Sequence, residues 1–214
     1  MMWWWYPLFA VGGYLLGSVP MGVAVGRVAR GIDVRNYGSG KTGFTNTLRT
    51  VGLGPAAVVL VGDLAKGVAP VILARAISHD PTLEVVGAIG AILGHDFPLY
   101  VGFRGGRGVA TTFGAAAAMM PLPALGFFLL AGVLLASTRI MSIMSVVGTA
   151  IAALAVIALA VVGVEPREYA VYAVVAAALI VVQHRDNIER LRAGTEPRIG
   201  TPGRLRTPPA RGAA

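Results

Sequence analysis

Cysteine is absent from this chain of 214 residues, which excludes disulfides and thiolate metal sites. Histidine is nearly absent too. His79, His95 and His184 stand far apart in sequence, so no histidine metal centre is expected. Charge is scarce: Asp, Glu, Lys and Arg make up 13% of residues, about half of the roughly 25% usual in a water-soluble domain. Acidic residues are scarcest, ten against 18 Lys and Arg, for a net charge of +8. A nucleic-acid binder would carry such a surplus on one face of a soluble module. Here the cations lie between apolar runs, so no nucleic-acid partner is expected. The first six residues lack the basic region of a secretory signal and carry three tryptophans, as suits an anchor at a membrane–water interface.

What is abundant is apolar sequence, at 56% of residues. A membrane crossing takes about 20 apolar residues. Residues 1–26, 51–74, 85–103, 142–164 and 169–183 read as crossings. Residues 110–138 are uncharged but hold Pro121 and Pro123, a pair that breaks the helical ladder, so two short helices are expected there. Asp63 and Lys66 interrupt the second run; three apart on one helical face, they can neutralise each other. The expectation is an all-α polytopic integral membrane protein of about seven transmembrane helices. With the N-terminus outside and the C-terminus cytoplasmic, all Lys and Arg except Lys66, Arg75 and Arg167 fall on the inner side, as the positive-inside rule requires. Glycines four apart (Gly13/Gly17, Gly22/Gly26, Gly90/Gly94) suit close helix packing. Residues 1–198 form one membrane-embedded domain on this reading, and 199–214 a disordered basic tail.

Three polar segments close these runs. The first, residues 38–49, contains Gly38-Ser39-Gly40-Lys41-Thr42-Gly43 followed by Thr45, Asn46 and Arg49. Gly40-Lys41-Thr42 imitates a nucleotide P-loop, but the motif's first glycine position is Arg35, and no soluble strand precedes it. The anion-binding physics survives, since glycines let backbone N–H groups turn toward an anion. The second segment, Arg104-Gly105-Gly106-Arg107-Gly108 with Thr111 beyond it, sets arginine forks suited to phosphate oxygens among three glycines. The third, His184-Arg185-Asp186-Asn187, puts His184 and Asn187 on one helical face. All three fall at the cytoplasmic face in this layout, and together they read as one anion-handling site.

Taken together the segments resemble the bacterial acyl-phosphate:glycerol-3-phosphate acyltransferase family, PlsY. Its motifs are similar to G-S-G-N-x-G-x-T-N-x-x-R, then G-H-x-x-P with F-K-G-G-K-G-V-A-T, then H-x-x-N-I-x-R-L-x-x-G-x-E. This chain matches them in order and spacing over residues 38–49, 94–111 and 184–196. Gly17-Ser18-Val19-Pro20 and Asp63-Leu64-Ala65-Lys66-Gly67 also resemble family sequence. Lys41 replaces the usual Asn, Phe44 a small residue, and Arg104 and Arg107 two lysines. The H-x-x-x-x-D signature of the other large acyltransferase group is missing: five residues after His79, His95 and His184 stand Glu84, Tyr100 and Glu189.

The resemblance implies an enzyme of the bacterial plasma membrane, its active site facing the cytoplasm. It would transfer a fatty acyl group from acyl phosphate to the 1-hydroxyl of sn-glycerol 3-phosphate, giving lysophosphatidate and inorganic phosphate in the first step of phospholipid biosynthesis. No cofactor, metal or protein partner is required on that reading. Ser39, Arg49, His184 and Asn187 are the expected catalytic residues. Gly40, Lys41, Thr45, Asn46, Arg104, Gly105, Gly106, Arg107, Gly108 and Thr111 are expected to bind substrate, with Ser142 and Ser145 added on family grounds. A transporter for phosphorylated solutes is the rival from another class, though its cationic sites would lie near the bilayer midplane.

Overall fold

The computed structural model describes residues 3–202 and 205, and among these there is no strand, only an isolated antiparallel bridge between Tyr37 and Leu205. Ten α-helices follow one another: α1 (Trp5–Gly17), α2 (Met21–Arg30), α3 (Phe44–Thr50), α4 (Leu53–Ile77), α5 (Pro81–Asp96), α6 (Val109–Met119), α7 (Pro121–Thr138), α8 (Met141–Val161), α9 (Arg167–Gln183) and α10 (Arg185–Arg192). Among the described residues, four stretches are long and apolar enough to cross a membrane: Trp5–Arg30, Leu53–Ile77, Pro121–Thr138 and Met141–Val161. Helices α5, α6 and α9 have 16, 11 and 17 residues. At 1.5 Å per residue they reach about 24, 16 and 26 Å, short of the roughly 30 Å hydrocarbon core.

Boundaries follow local chemistry. The first run is two helices, because Pro20 interrupts the ladder after Ser18. The third run, expected over 85–103, is helical over Pro81–Asp96 instead. Asp80 caps it by accepting from Thr82 N (2.9 Å), and Pro81 occupies the first turn. It stops at Asp96 because Phe97 precedes Pro98. Pro121 and Pro123 do divide residues 110–138. Phe113 of α6 packs on Phe127 of α7 with ring centroids 5.7 Å apart, and their near-equal distances from Met120 mark an antiparallel hairpin. The tail expectation for 199–214 falls largely outside the described residues.

Alternating directions bring the ends of α1, α5, α7 and α9 and the starts of α4, α6 and α8 to one end of the bundle. At the opposite end Tyr6 Oη donates to Asp80 Oδ2 (2.8 Å). There too Glu84, 3% exposed, accepts from Arg75 Nε (2.9 Å) and Nη2 (2.7 Å) and from Tyr169 Oη (2.8 Å). Such pairing offsets much of the cost of burying a carboxylate inside an apolar bundle.

Glycine sets the helix spacing. Side-chain carbons at Gly13 and Gly17 would overlap the Gly87 and Ala91 carbonyls, and carbons at Gly90 and Gly94 would overlap those of Ala10 and Tyr14. Helices α1 and α5 thus touch backbone to backbone. Gly67 of α4 meets Thr111 of α6 the same way. Gly17→Leu is expected to cost about 3 kcal/mol or more, as overpacking of a rigid contact does. Gly12→Leu, with open space around it, should stay within about 0.5 kcal/mol. Thermal midpoints in detergent compare the two, and equal effects would contradict the packing.

Candidate active site

The three polar segments converge. A cavity of about 800 Å³ at the loop end is lined by Ser39, Lys41, Thr45, Asn46 and Arg49 of the first segment and by Arg107 and Gly108 of the second. His184 and Asn187 of the third complete its polar wall, with Ser142, Ser145 and Glu196. The opposite wall is apolar: Leu60 and Leu64 of α4, Phe113 of α6, and Phe127, Phe128, Leu129 and Val133 of α7. One compartment therefore joins a cationic end to a hydrocarbon-like end.

Asn46 organises the first segment. Its Nδ2 donates to Val34 O (2.8 Å) and Lys41 O (2.9 Å), while its Oδ1 accepts from Ser39 N (3.0 Å). Gly40, at φ +70°, closes the turn with its N–H on Tyr37 O (2.9 Å). That N–H is already used within the loop, so the glycine serves the turn. Arg35, paired with Asp33 (2.7 Å), reaches across to Val101 O (2.6 Å) and ties this segment to the second.

The second segment is moulded onto the end of α5. Gly106 N donates to His95 O (3.0 Å). A side-chain carbon at Gly106 would strike the His95 ring, and one at Gly105 the His95 and Asp96 carbonyls. These two glycines face α5 and do not line the cavity. Arg104 is exposed, and Thr111 is buried against α4; neither lines the cavity. Gly108, at φ +71°, turns the chain into α6 at the cavity wall.

Glu196, the last position of the third motif, closes that segment and was given no role from sequence. Its Oε1 accepts from Ser142 Oγ (2.8 Å) and Asn187 Nδ2, and its Oε2 from Arg190 Nε (2.8 Å). Arg49 Nη2 donates to Pro197 O (3.3 Å), and Ile199 N to Arg139 O (2.8 Å). One short stretch of chain thereby fastens α3, α8 and α10 around the rim. Ser145 Oγ donates to Met141 O within its own helix (2.9 Å). Asp63 and His95 also line the cavity, although Asp63 read as self-neutralised by Lys66 and His95 as a lone histidine.

The electrostatics favour anions. Lys41, Arg49 and Arg107 form no ion pair among the described residues, whereas Glu196 is paired with Arg190 and Asp63 with Lys66. Burial, then neighbouring arginines, lowers the Arg107 guanidinium to about 10. Burial also lowers Lys41 and Arg49. Arg107 stays protonated at neutral pH, and at all three groups the lowering reflects first the cost of burying a cation. His184 is pushed down to about 4, first by burial and then by Arg107. Its Nδ1 lies 2.8 Å from Ile180 O. A carbonyl only accepts, so Nδ1 carries the proton and Nε2 keeps a lone pair. Among the described residues no group of His, Asp and Glu is arranged to hold a metal ion.

Comparison with known proteins agrees with this geometry. The glycerol-3-phosphate acyltransferase family model matches residues 7–194. A glycerol-3-phosphate acyltransferase from Synechococcus sp. (strain JA-3-3Ab) is 46% identical over 90% of this chain and 93% of its own. One from Rubrobacter xylanophilus is 42% identical over 90% and 94%. A crystal structure of PlsY (YgiH), an integral membrane glycerol 3-phosphate acyltransferase, in its glycerol 3-phosphate form superposes with a TM-score of 0.82 at 35% identity, covering 92% of this chain and 96% of that one. The same protein in its lysophosphatidic acid form gives 0.81 at 34% identity. A phosphate-suited polar wall, a hydrocarbon wall and these likenesses meet in one conclusion: the chain belongs to the glycerol-3-phosphate acyltransferase family and is an integral membrane protein.

Proposed function

We propose that this enzyme transfers a fatty acyl group from acyl phosphate to the 1-hydroxyl of sn-glycerol 3-phosphate, releasing lysophosphatidate and inorganic phosphate. The observation that carries the reading is the single cavity joining Arg49, Arg107 and Lys41 to an apolar wall on α7. An acyl phosphate has that same division, and the second substrate adds another phosphate for the cationic end.

An acyl phosphate is a mixed anhydride with a good leaving group, so the reaction needs no covalent enzyme intermediate. The glycerol oxygen attacks the acyl carbonyl carbon, the bond from that carbon to the phosphate oxygen breaks, and phosphate departs. Arg49, Arg107 and Lys41 offset the charge of the two phosphates at the edge of a low-dielectric bundle, where charge-assisted hydrogen bonds act strongly. Ser39 and Asn187 orient the hydroxyl and the carbonyl. His184 accepts the hydroxyl hydrogen bond through Nε2 but is too weak a base to hold the proton at neutral pH. A substrate phosphate, with a second ionisation near about 6, takes it.

The layout in the bilayer is part of the proposal: about seven crossings, the N-terminus outside, and the cavity opening to the cytoplasm of a bacterial plasma membrane. The distribution of Lys and Arg supports it. Helices α5 and α6 then span as inner members of the bundle, while α9 turns Val171, Val174 and Val181 outward to lipid.

Purified protein given acyl phosphate and glycerol 3-phosphate should release phosphate in step with lysophosphatidate. Arg49→Ala should lower kcat/KM by about 10²–10³, the usual loss for one preorganised charge at a developing anion. No release by the wild type, or exchange of glycerol 3-phosphate across liposomes without acylation, would replace the enzyme with a transporter. An acyl adduct trapped on Ser39 would replace direct transfer with a two-step route. In a histidine-labelled sample, nitrogen NMR should find His184 neutral with its proton on Nδ1 at pH 6, charging only toward pH 4. An imidazolium at pH 6 would return the base role to question. Because the chain has no cysteine, Gly163→Cys and Arg139→Cys report sidedness directly. An impermeant maleimide added outside whole cells should label only the first.

A further inference from the structure

At the floor of the cavity lies a cluster of charged and imidazole side chains to which the transfer step gives no role. Asp63, in the middle of α4, is 1% exposed, with Lys66 at 5% and His95 at 4%. Asp63 Oδ1 is 2.9 Å from Lys66 Nζ and 3.4 Å from His95 Nδ1. Removing charges from water this completely is costly, and an apolar trio of equal volume would usually pack as well or better. A purely structural role therefore leaves the choice of these residues unexplained.

Each partner of Asp63 leads to a different anion-binding segment. His95 carries the second: its carbonyl accepts from Gly106 N (3.0 Å), and its ring lies so close to Gly106 that a side-chain carbon there would overlap it. Arg107 follows at once. Lys66 leads to the first: Nζ donates to Val19 O (2.9 Å) at the break between α1 and α2. Three residues on, Gly22 presses against Thr42, where a side-chain carbon would overlap the Thr42 carbonyl. Lys41 is the neighbour of Thr42.

We propose that Asp63, acting through His95 and Lys66, is a positioning residue that holds the segments bearing Arg107 and Lys41 at one separation, and so sets the affinity of the site for phosphate groups. Asp63 acts through these two partners, from the floor of the cavity. The kinetic part of the test rests on the acyltransferase reading; the binding part does not.

The test uses purified full-length protein in lipid nanodiscs, with calorimetric titration of glycerol 3-phosphate and of inorganic phosphate. The double variant Asp63→Asn/Lys66→Met removes both charges together, so its thermal midpoint should stay near that of the wild type. Its Kd for both anions should rise by about tenfold or more, and adding His95→Gln should worsen this by less than about twofold, as coupled residues do. In turnover, KM for glycerol 3-phosphate should rise in parallel while kcat changes by less than about threefold. Wild-type Kd values in a stable double variant would overturn the proposal, as would losses that simply multiply. If the double variant does not fold, His95→Gln decides alone, and a wild-type Kd there rejects the proposal. Absence of acyl transfer by the wild type would remove the functional reading, and the two Kd values would still judge this one.

Discussion

Helices surrounded by hydrocarbon gain little by burying apolar faces against each other, since lipid offers the same surroundings. What this bundle has instead is close backbone approach at glycine. Helices α1 and α5 interlock through Gly13, Gly17, Gly90 and Gly94, and α4 and α6 through Gly67. These contacts fix the heights at which the helices end. Because α1 stops at Ser18 beside the end of α5, Leu99 N finds Ser18 Oγ at 3.3 Å and Tyr14 Oη reaches Phe97 O at 2.9 Å. The polar segments inherit their positions from that shared level.

A second constraint is charge. Burying a carboxylate in low dielectric is costly; Glu84, Asp63 and Glu196 each meet a cation, while Asp96 forms no ion pair among the described residues. The cations facing the cavity do not receive the same treatment, and the imbalance falls where phosphate would bind. Pairing elsewhere makes the surplus local. On the proposed reading, attraction for anions would come as much from the paired carboxylates around the cavity as from the arginines within it.

Much of this was legible in the residues. The break at Pro121 and Pro123, the meeting of Ser39, Arg49, His184 and Asn187, and the helix contacts of Gly13, Gly17, Gly90 and Gly94 all follow from local chemistry or motif order, whereas Gly22 and Gly26 meet loop residues instead of a helix. The extent of α5 was obscured by Glu84, which made its first turn look unsuited to an apolar helix. The capping pair Asp80-Pro81 was the signal that could have found it. Glu196 ends the third motif, yet its role was hidden by its sign, since a carboxylate is the last group anion-binding logic would seek. It works by orienting donors. Asp63 and His95 are 32 positions apart, and nothing in periodicity links them until α4 and α5 fold against each other. Gly105 and Gly106 read as an amide cradle, but their lack of side chains serves contact with His95.

Proteins are synthesised from the amino end, and here the rim of the cavity is fastened by residues 196–199. Every hydrophobic helix is translated before Glu196 is added to Ser142, Asn187 and Arg190. A nascent polypeptide halted in the early 190s would own all its crossings and lack the keystone of its chemistry.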